Sequence, residues 1–260
     1  MAAEVLGILN VTPDSFSDGG SFLSPVAAVA RAHEMIAEGA DIIDIGGEST
    51  RPGADDVDID TELSRVIPVI EALAPACRLA IDTRHEEVAR AAIDAGASII
   101  NDVTASLWPV AAETGAGWIA MHMRGEPKNM QLAPSYTDVV GEVTEYLVER
   151  ATLGRKAGVE QIWIDPGFGF GKNLEQNLEL LVSLDVLVST GFPVAIGTSR
   201  KSMLGSLLAR SDGADDQTPP NDRLEGSVST ATYAMMLGAK LIRVHDVKAA
   251  RQAVTVVSGE

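Results

Sequence analysis

Short apolar runs recur along the chain, and each of them ends in polar or charged side chains. Six of the runs follow a helical stretch that ends in glycine. The glycines are Gly39, Gly96, Gly115, Gly158, Gly191 and Gly238, and the runs are Asp41–Asp44, Ser98–Asp102, Trp118–His122, Ile162–Asp165, Val194–Lys201 and Leu241–Asp246. Glycine just past a helix adopts positive φ without strain, so the chain can turn directly into a strand. Continuous apolar, β-branched runs are typical of strands buried on both faces of a parallel sheet. Two further runs, Val5–Val11 and Arg78–Thr83, complete eight predicted strands.

Helical stretches separate the eight predicted strands. They span Pro25–Glu38, Ile59–Ala74, His85–Ala95, Pro109–Thr114, Tyr136–Ala157, Asn173–Ser189, Ser202–Ala209 with Asp222–Leu237, and Lys248–Val257. Ser24 before Pro25 predicts a helix start, with serine at the N-cap and proline in the first turn. Strands that alternate with helices predict an α/β fold, a (β/α)8 TIM barrel. Such barrels take about 250 residues, so we expect one domain over residues 1–260, with its site at the C-terminal ends of the strands.

The composition argues against several classes of function. Lys and Arg number 20 against 37 Asp and Glu, a formal net charge of −17, whereas nucleic-acid binding needs a basic surface. No apolar run approaches the ~18 residues of a membrane helix, so we expect no membrane partner. The N-terminus lacks the basic and apolar segments of a signal peptide, and the single cysteine, Cys77, cannot form an internal disulfide. These features predict a cytoplasmic protein.

Three long, glycine-rich loops follow predicted strands. They are Asn10–Gly20, Gly46–Gly53 and Gly167–Lys172. Glycine lets the backbone approach a ligand closely, and barrel enzymes bind substrates with the loops at this rim. Gly167–Lys172 is not a Walker phosphate loop, because that motif has four residues between its glycines and Ser or Thr after the lysine, whereas Asn173 follows here. The three loops therefore predict substrate binding at the rim, but not nucleotide binding through a Walker motif.

Polar side chains cluster where the predicted strands end. They are Asn10, Thr50, Arg51, Asp82, Asn101, Asp102, His122, Asp165, Ser199, Arg200, Lys201, Arg243, His245 and Asp246. A buried Asp or Asn must be hydrogen-bonded, so carboxylates and an amide at a barrel mouth suit a flat nitrogen heterocycle with N–H donors. Arg51, Arg243 and His245 suit an anion such as phosphate. We therefore expect a site with two parts, one for a heterocycle and one for an oxyanion.

Some of these residues have simpler interpretations. Asp82 and Asp246 each precede a helix and could be N-caps. His122 lies on an apolar strand, where a satisfied core histidine is commoner than a ligand, and we expect His33 at the surface and His85 in a first helical turn. The four histidines include no His-x-His pair, which disfavours a zinc hydrolase.

Taken together, the motifs resemble those of the dihydropteroate synthase family. The similarity extends from Gly7 to Val257 and keeps the family's motif order. The motifs are Asn10–Gly20, Asp44–Gly53, Ile81–Thr83, Ile100–Val103, Met121–Gly125 with Pro127 and Met130-Gln131, Asp165–Lys172, Ser199–Ser202, and Arg243–Val247. Each motif alone is weak, but eight in the same order are highly specific. The chain is therefore identified as a member of this family.

The resemblance implies a reaction and its ligands. In that reaction p-aminobenzoate displaces diphosphate from 6-hydroxymethyl-7,8-dihydropterin diphosphate, with Mg²⁺, and gives 7,8-dihydropteroate for folate biosynthesis. The implied pterin site is Asp82, Asn101, Asp165 and Lys201, with Mg²⁺ on Asn10. The implied diphosphate site is Thr50, Arg243 and His245, with Arg51 nearby, and the implied p-aminobenzoate site is Thr50, Pro52, Gly169, Phe170, Lys201 and Ser202. Lys201, Arg243, His245 and Arg51 are the implied catalytic residues.

The resemblance also implies that the protein forms a homodimer through helices near the C-terminus. It further implies that sulfonamides compete with p-aminobenzoate.

The nucleophilic amine of p-aminobenzoate is already neutral. We therefore expect the rate to depend on substrate positioning and on stabilisation of the leaving group, without a strong general base.

Two other functions remain open at this stage. A methyltransferase that uses methyltetrahydrofolate and a corrinoid partner would keep counterparts of Asp82, Asn101 and Asp165, but would not need the loop Asn10–Gly20 or the motif Ser199–Lys201. A non-catalytic pterin-binding relative would show changes among the implied catalytic and metal-binding residues. All of these residues are intact, which favours the synthase.

Overall fold

A computed structural model of the protein describes residues 2–12, 24–49, 56–125, 130–132 and 134–259. Eight parallel strands form one sheet in the order β6-β5-β4-β3-β2-β1-β8-β7. They are β1 Glu4–Asn10, β2 Ile42–Gly46, β3 Arg78–Asp82, β4 Ile99–Asp102, β5 Gly117–Met121, β6 Ile162–Asp165, β7 Ala195–Ile196 and β8 Leu241–Val244. A single parallel bridge, Ile164 to Val194, joins β6 to β7 and closes the barrel. The predicted fold class is confirmed.

Ten α-helices alternate with the strands among the described residues. They are α1 Pro25–Ala37, α2 Ile59–Leu73, α3 Glu86–Asp94, α4 Trp108–Thr114, α5 Val139–Ala157, α6 Leu174–Val182, α7 Leu184–Val188, α8 Ser202–Asp212, α9 Leu224–Met236 and α10 Val247–Ser258, with a 3₁₀ turn at Pro220–Asp222. The Ser24 hydroxyl accepts a hydrogen bond from Ala27 N, so the predicted N-cap of α1 is confirmed. No helix in the described ranges is long and apolar enough to span a membrane.

The glycine turns are confirmed, and two predicted elements need correction. All six glycines that precede predicted strands have positive φ, between 73° and 115°. The predicted helix Asn173–Ser189 is two helices that meet at Ser183. The predicted strand Val194–Lys201 is regular only at Ala195 and Ile196, because the residues after it leave the sheet toward the C-terminal rim.

One buried side chain from each strand fills the middle of the barrel. This apolar layer is Leu6, Ile42, Ala80, Ile99, Ile119, Trp163, Ala195 and Leu241. Larger apolar clusters lie between the strands and the surrounding helices. Successive side chains of a strand point to opposite faces, so the residue two positions further along each strand also faces the interior. The apolar layer closes the barrel from below, and the next interior layer forms the floor of a site above it.

Candidate active site

The second interior layer carries five polar or charged residues, whereas the first layer is entirely apolar. Two positions beyond the apolar layer, the chain carries Ile8, Asp44, Asp82, Asn101, Met121, Asp165, Gly197 and Arg243, all on strands except Gly197, which directly follows β7. Six of these eight residues line a cavity with about 340 Å³ of empty space, part of it open to solvent, at the C-terminal end of the barrel. The remaining lining residues are Val103, Gly167, Phe168, Phe170 and Lys201. The alternation of side chains along the strands therefore places the polar residues of the candidate site at the same height in the barrel.

Asp44, Asp82 and Arg243 form an ionic cluster across strands β2, β3 and β8. The guanidinium of Arg243 donates through Nε to Asp44 Oδ2 at 2.6 Å and through Nη2 to Asp82 Oδ2 at 2.5 Å. Asn101 Nδ2 also donates to Asp44 Oδ2, at 3.0 Å. Asp44 is fully buried, and it fixes both Arg243 and the amide of Asn101.

Burial and neighbouring charges shift the pKa values of Asp82 and Arg243. Burial raises the pKa of Asp82 above its usual range, with Asp44 adding to the rise and Arg243 opposing it. Burial also opposes the charge of Arg243, but the carboxylates of Asp44 and Asp82 outweigh it, so the pKa of Arg243 is raised. Arg243 therefore stays charged, and Asp44 Oδ1 and Asp82 Oδ1 are buried oxygens without a hydrogen-bond partner in the described part of the chain. Such oxygens can accept N–H groups of a ligand.

Asp165 lies at the end of β6 and belongs to the opposite wall of the cavity. Its Oδ1 accepts a hydrogen bond from Gly167 N at 2.7 Å, and only 5% of its surface is exposed. Burial raises the pKa of this carboxyl, while the bond from Gly167 N and the charges of Lys201 and Arg243 lower it. The second carboxylate oxygen of Asp165 can therefore meet a ligand while the first is held by the backbone.

The loop Gly167–Lys172, called the glycine loop below, follows Asp165. Gly167 and Gly171 have φ of 67° and 64°, and a Cβ at either position would lie 2.0 or 2.1 Å from a carbonyl oxygen of His122 or Arg124. Only glycine permits this close contact between the loops after β5 and β6. Lys201 Nζ lies 4.0 Å from the ring centroid of Phe170, a cation–π contact. Phe170 of the glycine loop thus presents an aromatic face to the cavity, and Lys201, from the loop after β7, places a cation beside it.

His245, Ser199, Arg200 and Asp246 form a second polar group beside the cavity, not in its lining. Ser199 Oγ lies 3.0 Å from His245 Nδ1. Arg200, at φ 60°, donates to both carboxylate oxygens of Asp246, at 3.1 and 2.6 Å. Arg200 and Asp246 therefore hold the loop after β7 against the loop after β8. Because these two residues bind each other, His245 is the member of the group that we consider as a ligand-binding residue.

The structure brings together some of the predicted site residues and leaves others apart. Asp82, Asn101, Asp165, Phe170, Lys201 and Arg243 line the cavity. Asn10, Gly169, Ser202 and His245 lie outside this lining, although Asn10 Oδ1 and Asp82 Cβ are both 3.6 Å from where a Cβ on Gly46 would lie. Thr50, Arg51 and Pro52 lie outside the described residues, as do 13–23 and Pro127.

Asp102 and two N-cap interpretations need correction. Asp102 follows Asn101 by one position, so it faces the helices, where it accepts hydrogen bonds from Ser106 N, Leu107 N and Trp118 Nε1. Asp82 is not an N-cap, because His85 occupies that position of α3 and Asp82 binds Arg243. Asp246 stands at the N-cap position of α10, but its side chain makes no capping bond and binds Arg200.

Sequence reasoning missed Asp44 as a site residue. It had placed the site contribution of the second strand at Thr50 and Arg51. The signal that could have found Asp44 is its position two residues beyond Ile42, inside an apolar strand, where an unpaired carboxylate would be costly.

Three carboxylate or imidazole groups near the rim have ligand atoms within 4.8 Å of one another: Glu48, Glu62 and His85. Arg84 donates to both oxygens of Glu48, each at 2.9 Å, and also to Asp56. His85 Nδ1 lies 2.8 Å from Glu62 Oε2. These pairings make the group an ion-pair network between the starts of α2 and α3. The remaining histidine predictions hold, since His33 is exposed and His122 is a buried histidine with a hydrogen-bond partner.

The arrangement can bind a flat, nitrogen-rich ring and an anionic group at the same time. Asp82, Asn101 and Asp165 offer acceptors and one amide at the level of the cavity floor. Lys201 and Arg243 place positive charge at its edges, with His245 beside them.

Comparison with known proteins agrees with this chemistry. Residues 6–245 match the family described as pterin binding enzyme. Dihydropteroate synthase of Escherichia coli K12 is 49% identical over 261 residues, which cover 97% of this chain and 90% of that protein. The Yersinia pestis dihydropteroate synthase, solved with a sulfonamide drug, is 44% identical with a TM-score of 0.91, covering 99% of this chain and 94% of that one. The Xanthomonas albilineans enzyme with 4-aminobenzoic acid is 46% identical with a TM-score of 0.90, covering 99% and 93%.

Proposed function

The chain belongs to the pterin-binding enzyme family, and within it to the dihydropteroate synthases, and on this basis we propose how its residues carry out the reaction. The reaction joins 6-hydroxymethyl-7,8-dihydropterin diphosphate to p-aminobenzoate and releases diphosphate. The observation that carries the proposal is the second interior layer, where carboxylates, an amide and a guanidinium meet at one level of the barrel. The same assignment excludes the corrinoid methyltransferase that the sequence had left open.

The pterin ring is bound by the side chains on the cavity floor. Asp165 keeps one oxygen on Gly167 N, so its other oxygen accepts from the amidine-like N–H edge of the ring. Asn101 donates to Asp44 through Nδ2, which leaves its amide oxygen to accept a further ring N–H. Asp82 Oδ1 offers another acceptor, and Lys201 closes the ring site from the rim.

The diphosphate leaves toward the basic edge of the site. Arg243 is held by two carboxylates at the cavity wall, and His245 lies on the same side, beside Ser199. The C–O bond to diphosphate breaks, and the electron-rich pterin ring stabilises positive charge on the methylene carbon. Preorganised cations next to the leaving oxygen lower the barrier because they need no rearrangement during the reaction. We assign Thr50 and Arg51 to the same diphosphate site by resemblance.

The amine of p-aminobenzoate attacks the methylene carbon from the glycine-loop side. Phe170 offers an aromatic face, and Lys201 above it offers a cation for the carboxylate of the substrate. Gly169, Ser202, Thr50 and Pro52 complete this subsite by resemblance. The new C–N bond forms from a neutral amine, and the proton that the nitrogen then loses passes to solvent, so no strong base is required. Sulfonamides, which mimic this substrate, compete for the same place.

Mg²⁺ fits the residues beside the cavity floor. Asn10 Oδ1 and Asp82 Oδ2 lie 3.6 and 3.8 Å from where a Cβ on Gly46 would lie, and Asp82 Oδ1 is buried without a hydrogen-bond partner among the described residues. Oxygen ligands of this kind suit Mg²⁺. We therefore propose that Asn10 binds Mg²⁺ near the diphosphate. When bound, the ion neutralises charge on the leaving group.

Diphosphate release by the purified protein tests this function directly. The assay contains the pterin diphosphate, Mg²⁺ and p-aminobenzoate, with Asp165→Ala and Lys201→Ala in parallel and the exposed Lys156→Ala as a matched control. We expect release that requires p-aminobenzoate and Mg²⁺, that collapses in the first two variants and that survives in the control. Tight binding of the pterin diphosphate without release would instead identify a non-catalytic relative.

We also propose that the protein acts as a homodimer in the cytoplasm. Exposed apolar side chains lie on α6 and α7, at Val182 and Val186, and on α9, at Tyr233 and Met236. The two regions are neighbours, because a Cβ on Gly238 would lie 3.0 Å from Val188. An exposed apolar surface of this kind is typical of an interface. Sedimentation of the wild type and of Met236→Glu tests it, with a dimer that dissociates in the variant as the expected result.

A further inference from the structure

Lys172 is a buried titratable residue that the reaction above does not use. Only 2% of the residue is exposed, although it ends the glycine loop at the rim of the barrel. Burying a lysine is costly unless its ammonium is fully hydrogen-bonded. We propose that Lys172 is a positioning residue for the synthase, whose ammonium holds the glycine loop in the shape that receives both substrates. This inference rests on the function proposed above.

The ammonium lies at the centre of a shell of acceptors. Its Nζ donates to Gly167 O and Phe170 O, each at 3.1 Å, and more weakly to His122 O at 3.4 Å. It also lies 3.0 Å from His122 Nδ1. Two of the carbonyls belong to residues that line the cavity, Gly167 and Phe170. The position of the cavity wall is thus coupled to a group that touches no substrate.

The protonation state of His122 agrees with this arrangement, and the pKa of Lys172 sets the pH below which the ammonium predominates. Burial lowers the pKa of His122 to about 3, so the imidazole is neutral at physiological pH and its Nδ1 can accept a proton donor. Burial lowers the pKa of Lys172 to about 7, with Asp165 opposing the decrease and Lys201 and Arg124 adding to it. An ammonium has three donors and no acceptor, which matches a shell of carbonyls and an unprotonated Nδ1.

Other contacts hold the same loop from its outer side. Asn177 Oδ1 accepts from Gly169 N at 2.7 Å, and Tyr136 OH donates to Gly171 O at 3.0 Å. These contacts fix the tip and the end of the loop, but they do not reach the carbonyls of Gly167 and Phe170. An apolar side chain at position 172 would remove the donor of Phe170 O and would leave Gly167 O with only the hydrogen bond from Phe170 N.

Steady-state kinetics of Lys172→Met test the proposal, because methionine keeps the length of the side chain and removes the ammonium. Lys156→Met, on the exposed surface of α5, is the matched control. We expect kcat/KM for p-aminobenzoate to fall about 10- to 100-fold through a raised KM, as displacement of a positioned wall predicts. The control should match the wild type. A lowered melting temperature with unchanged KM for both substrates would overturn the proposal, since that is the result of a purely structural role.

A second measurement uses the wild-type protein and does not depend on whether a variant folds. The ¹⁵N chemical shifts of the His122 ring, assigned by comparison with His122→Gln, show which nitrogen carries the proton. At pH 6 we expect Nδ1 to be unprotonated, because it accepts from the Lys172 ammonium. A proton on Nδ1 at that pH would overturn the inference. Absence of diphosphate release by the wild type would overturn the synthase function instead, so the two failures are distinguishable.

Discussion

On one side of the cavity, Arg243 bridges the carboxylates of Asp44 and Asp82, and Asp82 and Arg243 also line the cavity. On the other side, the wall is the backbone of the glycine loop, which Lys172 holds from behind. In the ionic cluster, Asp82 and Arg243 both line the cavity and hold each other in position. In the glycine loop, the residues that line the cavity and the residue that holds them in position, Lys172, are different.

This difference predicts how the two walls respond to substitution. A change in the ionic cluster should damage stability and catalysis together, because Arg243 stabilises both carboxylates and each carboxylate stabilises Arg243. A change behind the glycine loop should shift substrate binding, while the side chains proposed to bind the pterin remain in place. The following predictions test this contrast, from the largest expected effect to the smallest.

Arg243→Ala should have the largest effect. It leaves the carboxylates of Asp44 and Asp82 buried without their cation, which typically costs about 3–5 kcal/mol of unfolding free energy. We expect turnover to fall by about 10²- to 10³-fold, the usual result of removing one preorganised donor from a developing anion. Urea unfolding and the diphosphate assay measure the two quantities.

The double variant Arg243→Ala/Asp44→Asn separates stability from catalysis in this cluster. It removes one of the two like charges, so we expect it to regain part of the unfolding free energy and none of the turnover. Turnover within a few-fold of wild type in either variant would contradict the role of Arg243 in leaving-group stabilisation.

Gly167→Ala should have the next largest effect, and it acts on the glycine loop. The new Cβ would lie 2.0 Å from His122 O, so the loop must move away from the strand that supports it. We expect KM for p-aminobenzoate to rise by about 10²-fold, because the shifted loop would misplace the residues that bind this substrate. Gly158→Ala is the matched control, since its φ is 104° and no atom lies within 4 Å of the added Cβ. The control should lose about 1–2 kcal/mol of stability from the left-handed backbone alone and keep its KM.

The pH dependence of stability should show a smaller effect. The pKa of Lys172 is about 7 in the folded protein, below its ordinary value of 10.5. Between these values the unfolded chain binds a proton that the folded chain has released, so this group makes the folded state more stable as pH rises. We therefore expect wild type to gain unfolding free energy relative to Lys172→Met between pH 7 and pH 9. Parallel curves for the two proteins would show that the lysine titrates outside this window.

Phe170→Leu should have the smallest effect. It removes the aromatic face beneath Lys201 Nζ and keeps an apolar side chain in the wall. Cation–π contacts contribute roughly 0.5–2 kcal/mol, so we expect a several-fold rise in KM for p-aminobenzoate with little change in kcat. Titration with p-aminobenzoate at saturating pterin diphosphate provides the measurement.

The eight strands and their glycine turns could be predicted because they depend on local patterns of apolar residues and on the conformational freedom of glycine. The cavity residues Asp82, Asn101, Asp165 and Arg243 were also accessible, since each interrupts an apolar strand at its end. The prediction that Asp102 belongs to the site was wrong because Asp102 was grouped with Asn101, although neighbouring residues in a strand face opposite sides of the sheet.

The remaining features depend on contacts between distant parts of the chain. Asp44 and Arg243 are 199 residues apart in sequence, and neither position alone indicates the partner. Lys172 was considered only as part of the glycine-rich motif Asp165–Lys172, because nothing near it in the sequence shows that its side chain points toward His122. Partners and side-chain directions of this kind follow from barrel closure, which local patterns do not encode.

The closure between β6 and β7 has a consequence for local unfolding. A single bridge and the hydrogen bond from Ile164 N to Pro193 O join these strands, whereas the other neighbouring strands pair through ladders of two to five residues. Fewer shared hydrogen bonds mean that less free energy is needed for a partial opening. The barrel therefore has one lateral seam of low protection against hydrogen exchange, with Asp165 at the end of the strand on one side of it.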